Sequence, residues 1–301
     1  MKCHEVFCYY SFPCKVHTTN IEGWDIGNIL YEKKNVLIFF TKRKEDKCYT
    51  WVMKCTDISD MNEEHAIPIL HKHSIQHMVE FPINHTYHGK TNDISWYVMK
   101  YYPRICSYVN DHKEFRTLIK TCIEFIKDIH IKIGYVYLDW RLDNILKKQE
   151  NGFVISDYEF LEKPKESVKP FAEEYIYNKD YLYYFIQLGA NIDQPLVSYR
   201  TDLEAIGFLA IKFLEIPNPT WMIQCNNIRE EKIRPIPVDI LATMRDIYKE
   251  EIIQEHPCLA TYFEKIKECP WESLTCMNAE WYDQLAAIFQ PILDDDTLYA
   301  I

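Results

Sequence analysis

Asp139-Trp-Arg-Leu-Asp-Asn144 sets a carboxylate five residues ahead of a carboxamide, and Val154-Ile-Ser-Asp157 presents a second carboxylate shortly afterwards. Side chains of these types in this order suit magnesium-dependent phosphoryl transfer. One carboxylate accepts or orients the proton of an attacking hydroxyl, while the Asn and the later Asp hold the metal against phosphate. Asp139 is the candidate for the first role, and Asn144 and Asp157 are the candidates for the second. Acids alone would repel a polyphosphate, so the chemistry also needs an anchored cation. Lys54, closing Thr50-Trp-Val-Met-Lys54, is placed to reach the α- and β-phosphates, and Glu64 is the acid expected to hold it there. The implied nucleotide is ATP and the implied metal is Mg2+. Taken singly, Asp139, Asp143 and Asn144 read equally well as turn residues, and Asp157 as a strand end. The joint order of lysine, acids and carboxamide is what favours chemistry.

These side chains need a sheet and several helices to position them. Ile26 to Leu30, Val36 to Phe40 and Tyr49 to Lys54 are short β-prone runs between charged turns and predict an antiparallel sheet. A helix start follows at Asp60-Met-Asn-Glu-Glu-His-Ala-Ile, with Pro68 near its beginning or kinking it. Ile75 to Phe81 and Ser95 to Lys100 are further strand candidates, and Tyr101-Tyr-Pro103 is a connection. Phe115, Leu118, Ile119, Cys122, Ile126 and Ile129 recur at helical spacing, and Gly134 closes that helix. Asp202 to Leu214 is apolar nearly all round, as in a helix buried inside a larger body. Two more helices are expected at Val238–Gln254 and Glu280–Phe289.

A chain of 301 residues with 48% hydrophobic residues accommodates one two-part enzyme domain or two ordinary domains. No apolar run approaches the ~18 residues of a membrane span, and the start lacks a signal peptide's apolar core. Eleven cysteines without paired C-x-x-C spacing favour free thiols over a disulfide frame or zinc module. The expectation is therefore an intracellular protein of the cytoplasm, with the nucleus as the alternative. A net charge of −11 argues against a general nucleic-acid-binding surface. His65, His71, His73, His77, His85 and His88 cluster in sequence; a zinc site would need three or four of them preorganised, and solvated surface histidines explain them more simply. Tyrosines from Tyr175 to Tyr184 read as packing of a loop against the helical part, with a modified or partner-binding surface as the alternative.

Several segments together resemble the vaccinia-related branch of the casein-kinase-1-like protein kinases, and the poxvirus members most. They are Gly27-Asn-Ile-Leu-Tyr, Tyr49-Thr-Trp-Val-Met-Lys54, Tyr137-Leu-Asp-Trp-Arg-Leu-Asp-Asn144, Ser156-Asp-Tyr158 and Ser198-Tyr-Arg-Thr-Asp-Leu-Glu-Ala-Ile-Gly207. The last is the most specific, because that branch opens its buried helix with a Ser-x-Arg-x-Asp-Leu-Glu-x-Leu-Gly run. Tyr262-Phe-Glu-Lys-Ile-Lys267 and Trp281-Tyr-Asp-Gln-Leu285 are similar to its final helices. The resemblance implies an α+β, bilobal protein-kinase-like fold: a small β-rich lobe over residues 24–100 and a larger helical lobe over 101–301. The kinase-like domain would span 24–290, with residues 1–23 as an extension. It also implies that Asp202 binds the backbone of the catalytic loop.

Departures from the family pattern bear on activity. Leu30-Tyr-Glu-Lys-Lys-Asn-Val36 has no glycine where the family has a glycine-rich phosphate loop, and Glu32 adds negative charge there. Glu159 replaces the glycine of Asp-Phe-Gly, Tyr137 the catalytic-loop histidine, and Arg141 the lysine two residues past the catalytic Asp. Arg141 still meets a phosphate as a catalytic residue, with different geometry. Leu138 stands where regulated kinases carry an arginine, so activity should not require loop phosphorylation. The leading expectation is an ATP- and Mg2+-dependent Ser/Thr protein kinase, monomeric, acting on a protein substrate, without nucleic acid or membrane. The alternative is a pseudokinase that binds and regulates another kinase or host factor. A small-molecule phosphotransferase shares the Asp-x-x-x-x-Asn logic, but the Asp202 segment and the carboxy-terminal helices look like those of protein kinases.

Overall fold

Alternating apolar and polar residues in the first third of the chain build an antiparallel sheet. The computed structural model describes residues 20–33, 36–57, 62–82, 86–91, 94–105, 112–148, 152–164, 198–214, 250, 253–254, 256–270 and 273–290. Its strands β1 (Asn20–Ile21), β2 (Trp24–Lys33), β3 (Val36–Arg43), β4 (Trp51–Asp57), β5 (His88–Thr91) and β6 (Ile94–Lys100) form one six-stranded sheet, ordered β1-β2-β3-β4-β6-β5. The sheet curls into a half-barrel. Strand β2 slips register twice against β3 between Ile26 and Tyr31. Gly27 lies at the first slip, where a Cβ would come within 2.7 Å of the Tyr49 ring and 3.1 Å of the Phe40 carbonyl oxygen.

The two-residue period of β4 decides where Lys54 goes. Met53 and Cys55 face one side and pack with Trp24, Leu37, Phe39, Trp96 and Val98. Val52 faces the other side and joins the larger core, which includes Ala66, Ile67 and Leu70 of α1 (Asn62–Lys72). Lys54 shares that second side with Tyr97, its cross-strand partner on β6, and its ammonium lies 5.8 Å from the tyrosine ring centre. Pro68 sits inside α1. The segment Ile75 to Phe81, expected as a strand, is instead a strap: Ser74 and His77 take left-handed φ values of 48° and 59°, which break an extended run. It meets sheet structure through a parallel bridge between Met78 and Ile155 and through a hydrogen bond from Lys100 N to the Glu80 carbonyl at 2.8 Å. Strand β5 was not expected, because His-Gly-Lys-Thr carries no apolar alternation; it pairs at the edge beside β6.

Helix α2 (His112–Asp128) buries Phe115, Leu118, Ile119, Cys122, Ile123, Phe125 and Ile126. It widens into a π turn at Ile129–Ile133 and stops at Gly134, whose φ of 68° provides a left-handed cap. A small three-stranded sheet follows, made of β7 (Arg104–Ile105), β8 (Ile145–Lys147) and β9 (Phe153–Ile155). Helices α3 (Tyr199–Leu214), α4 (Pro257–Ile266) and α5 (Ala279–Ala287) complete the described residues. α2 packs against α3 and α5, and α3 packs against α4. At the α3–α4 contact a Cβ on Gly207 would come within 2.6 Å of the Phe263 ring, so the close approach requires glycine. The class is mixed α+β. No helix among the described residues is long and apolar enough to cross a membrane. Residues 1–19, the tyrosine-rich stretch 175–184 and most of the helix expected over Val238–Gln254 lie outside the described residues.

Candidate active site

Asp202, in the first turn of α3, organises the loop that carries Asp139. It is fully buried, and both oxygens are doubly engaged. Oδ1 accepts from Leu138 N at 2.9 Å and Trp140 Nε1 at 2.7 Å; Oδ2 accepts from Tyr137 N at 2.8 Å and His130 Nε2 at 3.0 Å. A carboxylate only accepts, so His130 carries its proton on Nε2, and Nδ1 receives the Tyr282 hydroxyl. Burial holds the His130 pKa below its ordinary value, against the opposing pull of Asp202. These bonds constrain a strained segment. Leu138 has φ of 66°, and Asp139 N bonds the Tyr137 carbonyl across it at 2.9 Å.

Asp139 thereby points inward with 1% exposure. The short 3-10 turn Leu142–Asn144 brings Asn144 back, and its amide donates to the Asp139 carbonyl oxygen at 3.0 Å and to Oδ2 at 2.5 Å. Ser156 clamps the same turn to the strand end: its amide and hydroxyl donate to the Asn144 carbonyl at 2.8 and 3.1 Å. Tyr137, where the family resemblance expects histidine, donates its hydroxyl to the Ser156 carbonyl at 2.6 Å and stacks edge-on with Phe125 and Trp140. The Tyr137 hydroxyl thus ties the Asp139 loop to the Asp157 segment.

Asp157 follows β9 in a left-handed conformation, φ 64°, uncommon for a residue with a side chain. Its Oδ1 accepts from Lys54 Nζ at 3.0 Å, joining the large sheet to the Asp139 loop. One carboxylate oxygen from each of Asp139, Asp157 and Glu159 lies within 4.8 Å of the others. Burial, with the neighbouring negative charges of Asp157 and Glu159, pushes the Asp139 carboxyl up to about 8, while Arg141 and the Asn144 bond pull it down. Asp139 Oδ1 has no hydrogen-bond partner among the described residues. An unsatisfied buried acceptor costs about 1–3 kcal/mol, and more when charged, so it persists where a ligand completes it.

Lys54, Asp139, Asn144 and Asp157, singled out by spacing, therefore converge on one place. Arg141 stands at its rim, with a guanidinium nitrogen 3.5 Å from Asp143 Oδ2. Glu64 lies in the first turn of α1, and its side chain is outside the described residues. No group of three potential metal ligands among the described residues includes a histidine. His71 instead meets the Tyr87 hydroxyl at 3.0 Å and His77 meets Glu124 at 2.9 Å. Sequence reasoning missed His130 and Tyr282, whose only signal was a polar residue within an apolar helical stripe. It also read Glu159 only as a lost glycine, whereas the fold turns it toward the other two carboxylates. No protein-family model matches this chain, and no curated protein matches it.

Proposed function

We propose that this chain is an ATP- and Mg2+-dependent Ser/Thr protein kinase with a bilobal kinase-like architecture, the sheet forming one lobe and the helices the other. The observation that carries the reading is Asp139: buried, fixed through Oδ2 by Asn144, and with Oδ1 lacking a hydrogen-bond partner among the described residues, near the Lys54–Asp157 ion pair. The donor set also fits a hard cation, since Asn144, Asp157 and their neighbours offer oxygen ligands. Bound there, Mg2+ would neutralise charge on the transferring phosphoryl group.

The chain's own residues supply the rest. Asp139 takes the proton of a substrate hydroxyl as that oxygen bonds to the γ-phosphorus, and the bond from phosphorus to the β–γ bridging oxygen breaks as ADP leaves. Lys54 offsets phosphate charge, and Arg141 at the rim adds positive charge for the transferred group. A base whose pKa lies near the working pH suits this role.

The test is a phosphorylation assay with purified protein, radiolabelled ATP and mixed protein substrates, with and without Mg2+. Mg2+-dependent transfer should fall ~10²–10⁴-fold in Asp139→Asn. Transfer that persists in the variant would overturn the assignment of Asp139. Absence of transfer, together with nucleotide binding, would favour the pseudokinase reading.

A further inference from the structure

The site holds more negative charge than Asp139, Asn144 and Asp157 need for phosphoryl transfer. Glu159 stands two residues past the left-handed Asp157, and that turn brings its carboxylate within 4.8 Å of the other two. Acidic side chains gather without purpose on many surfaces, so proximity alone establishes nothing. The independent observation is Asp139 Oδ1, which is buried and without a hydrogen-bond partner among the described residues. Asn144 already uses Oδ2. Three carboxylates this close repel one another unless positive charge sits between, and a divalent cation reverses the sign of all three interactions at once.

We propose that Glu159 joins Asp139 and Asp157 in a divalent-cation site that loads in the free protein, before nucleotide. The oxygen-only ligand set suits a hard cation, Mn2+ or Mg2+. The inference deepens the proposed function and uses the same site, but does not require that phosphoryl transfer occur. It also gives a physical role to the glycine-free segment Leu30–Val36. Tyr31, Glu32 and Lys33 pair with Ile38, Leu37 and Val36 as β-strand, and a glycine-free strand pair that keeps its backbone amides from wrapping phosphate leaves the grip to other positive charge. A preloaded cation beside Lys54 provides it.

Mn2+ alone is the probe, titrated into chelator-treated, nucleotide-free protein and followed by the paramagnetic resonance signal of free Mn2+. The wild type should bind one Mn2+ per chain, displaceable by Mg2+. Glu159→Gln should weaken binding by roughly tenfold or more, the scale that even an outer-shell partner contributes. Glu264→Gln, which removes an exposed carboxylate far along α4, should leave binding unchanged and so controls for the chain's acidity. Wild-type affinity measured with and without a non-hydrolysable ATP analogue needs no variant and should show binding in both cases. Mn2+ bound only with nucleotide, or equally well by Glu159→Gln, overturns the inference. Cation binding without any phosphoryl transfer would sink the proposed function alone; transfer with nucleotide-dependent cation binding would sink the inference alone.

Discussion

Asp202 and Asp139 are both almost completely buried, yet the fold treats them oppositely. Asp202 accepts hydrogen bonds on both oxygens from two backbone amides, an indole and an imidazole. Asp139 has one oxygen held by Asn144 and the other without a hydrogen-bond partner among the described residues. A saturated buried carboxylate is scaffold: its charge is consumed in holding a loop. An unsaturated one retains its capacity to bind, at a cost in stability. The two are linked, because Asp202 fixes the strained Tyr137–Asp139 turn that aims Asp139. Strain at the site is thus held by satisfaction elsewhere.

Removing the saturated member should do the most damage. Asp202→Ala strands four buried donors and releases the left-handed Leu138, so a loss of about 3–5 kcal/mol in unfolding free energy is expected. Asp202→Asn keeps one acceptor and should lose less. Denaturant melts of both variants check this; an Asp202→Ala protein as stable as wild type would mean the loop holds its turn unaided.

Lys54→Met should come next, at about 1–3 kcal/mol. It removes the ammonium that pairs with Asp157, whose side chain is 29% exposed, so water relieves part of the loss. It also leaves the three clustered carboxylates with less opposing charge. Added Mn2+ should therefore restore more of the melting temperature to Lys54→Met than to wild type. A variant that gains no more than wild type would show that Lys54 and a cation do not substitute for each other.

Much of this arrangement was legible in the sequence, for identifiable reasons. Val36 to Phe40 and Tyr49 to Lys54 are β-prone runs between charged turns; the observed β3 buries alternate residues, whereas β4 is buried on both faces from Val52 to Cys55. The apolar stripe from Phe115 to Ile126 similarly gave α2. Asp139, Asn144 and Asp157 were identified because their spacing follows from one turn and one hairpin, both local, and Lys54 because it closes a β-prone run. His130 and Glu159 were not, since their roles depend on contacts with Tyr282 and Asp202, and with Asp139, that no local pattern encodes. Ile75 to Phe81 misled because apolar composition suited a strand while Ser74 and His77 adopt left-handed backbone. The edge strand β5 was invisible because it buries little.

The smallest effect should come from Asp139→Asn in cation-free buffer near pH 6, and its pH dependence makes it informative. Burial and its acidic neighbours raise the Asp139 carboxyl to about 8, so the folded protein keeps a proton that the unfolded chain sheds near its ordinary value of 3.8. Between those values the native state binds more protons than the unfolded state. Stability from this group is therefore fully present below about pH 4 and is lost as pH rises through about 8. Asparagine resembles the protonated acid in shape and charge and does not titrate. At about pH 6 the variant and wild type should differ by less than about 1 kcal/mol. As pH climbs toward about 8 and above, wild type must bury a charge that the variant lacks, so the variant should become the more stable of the two. Melting curves with chelator across that range test this directly. Parallel pH profiles for the two proteins would mean Asp139 is already ionised in the fold, satisfied like Asp202, and the contrast between the two carboxylates would disappear.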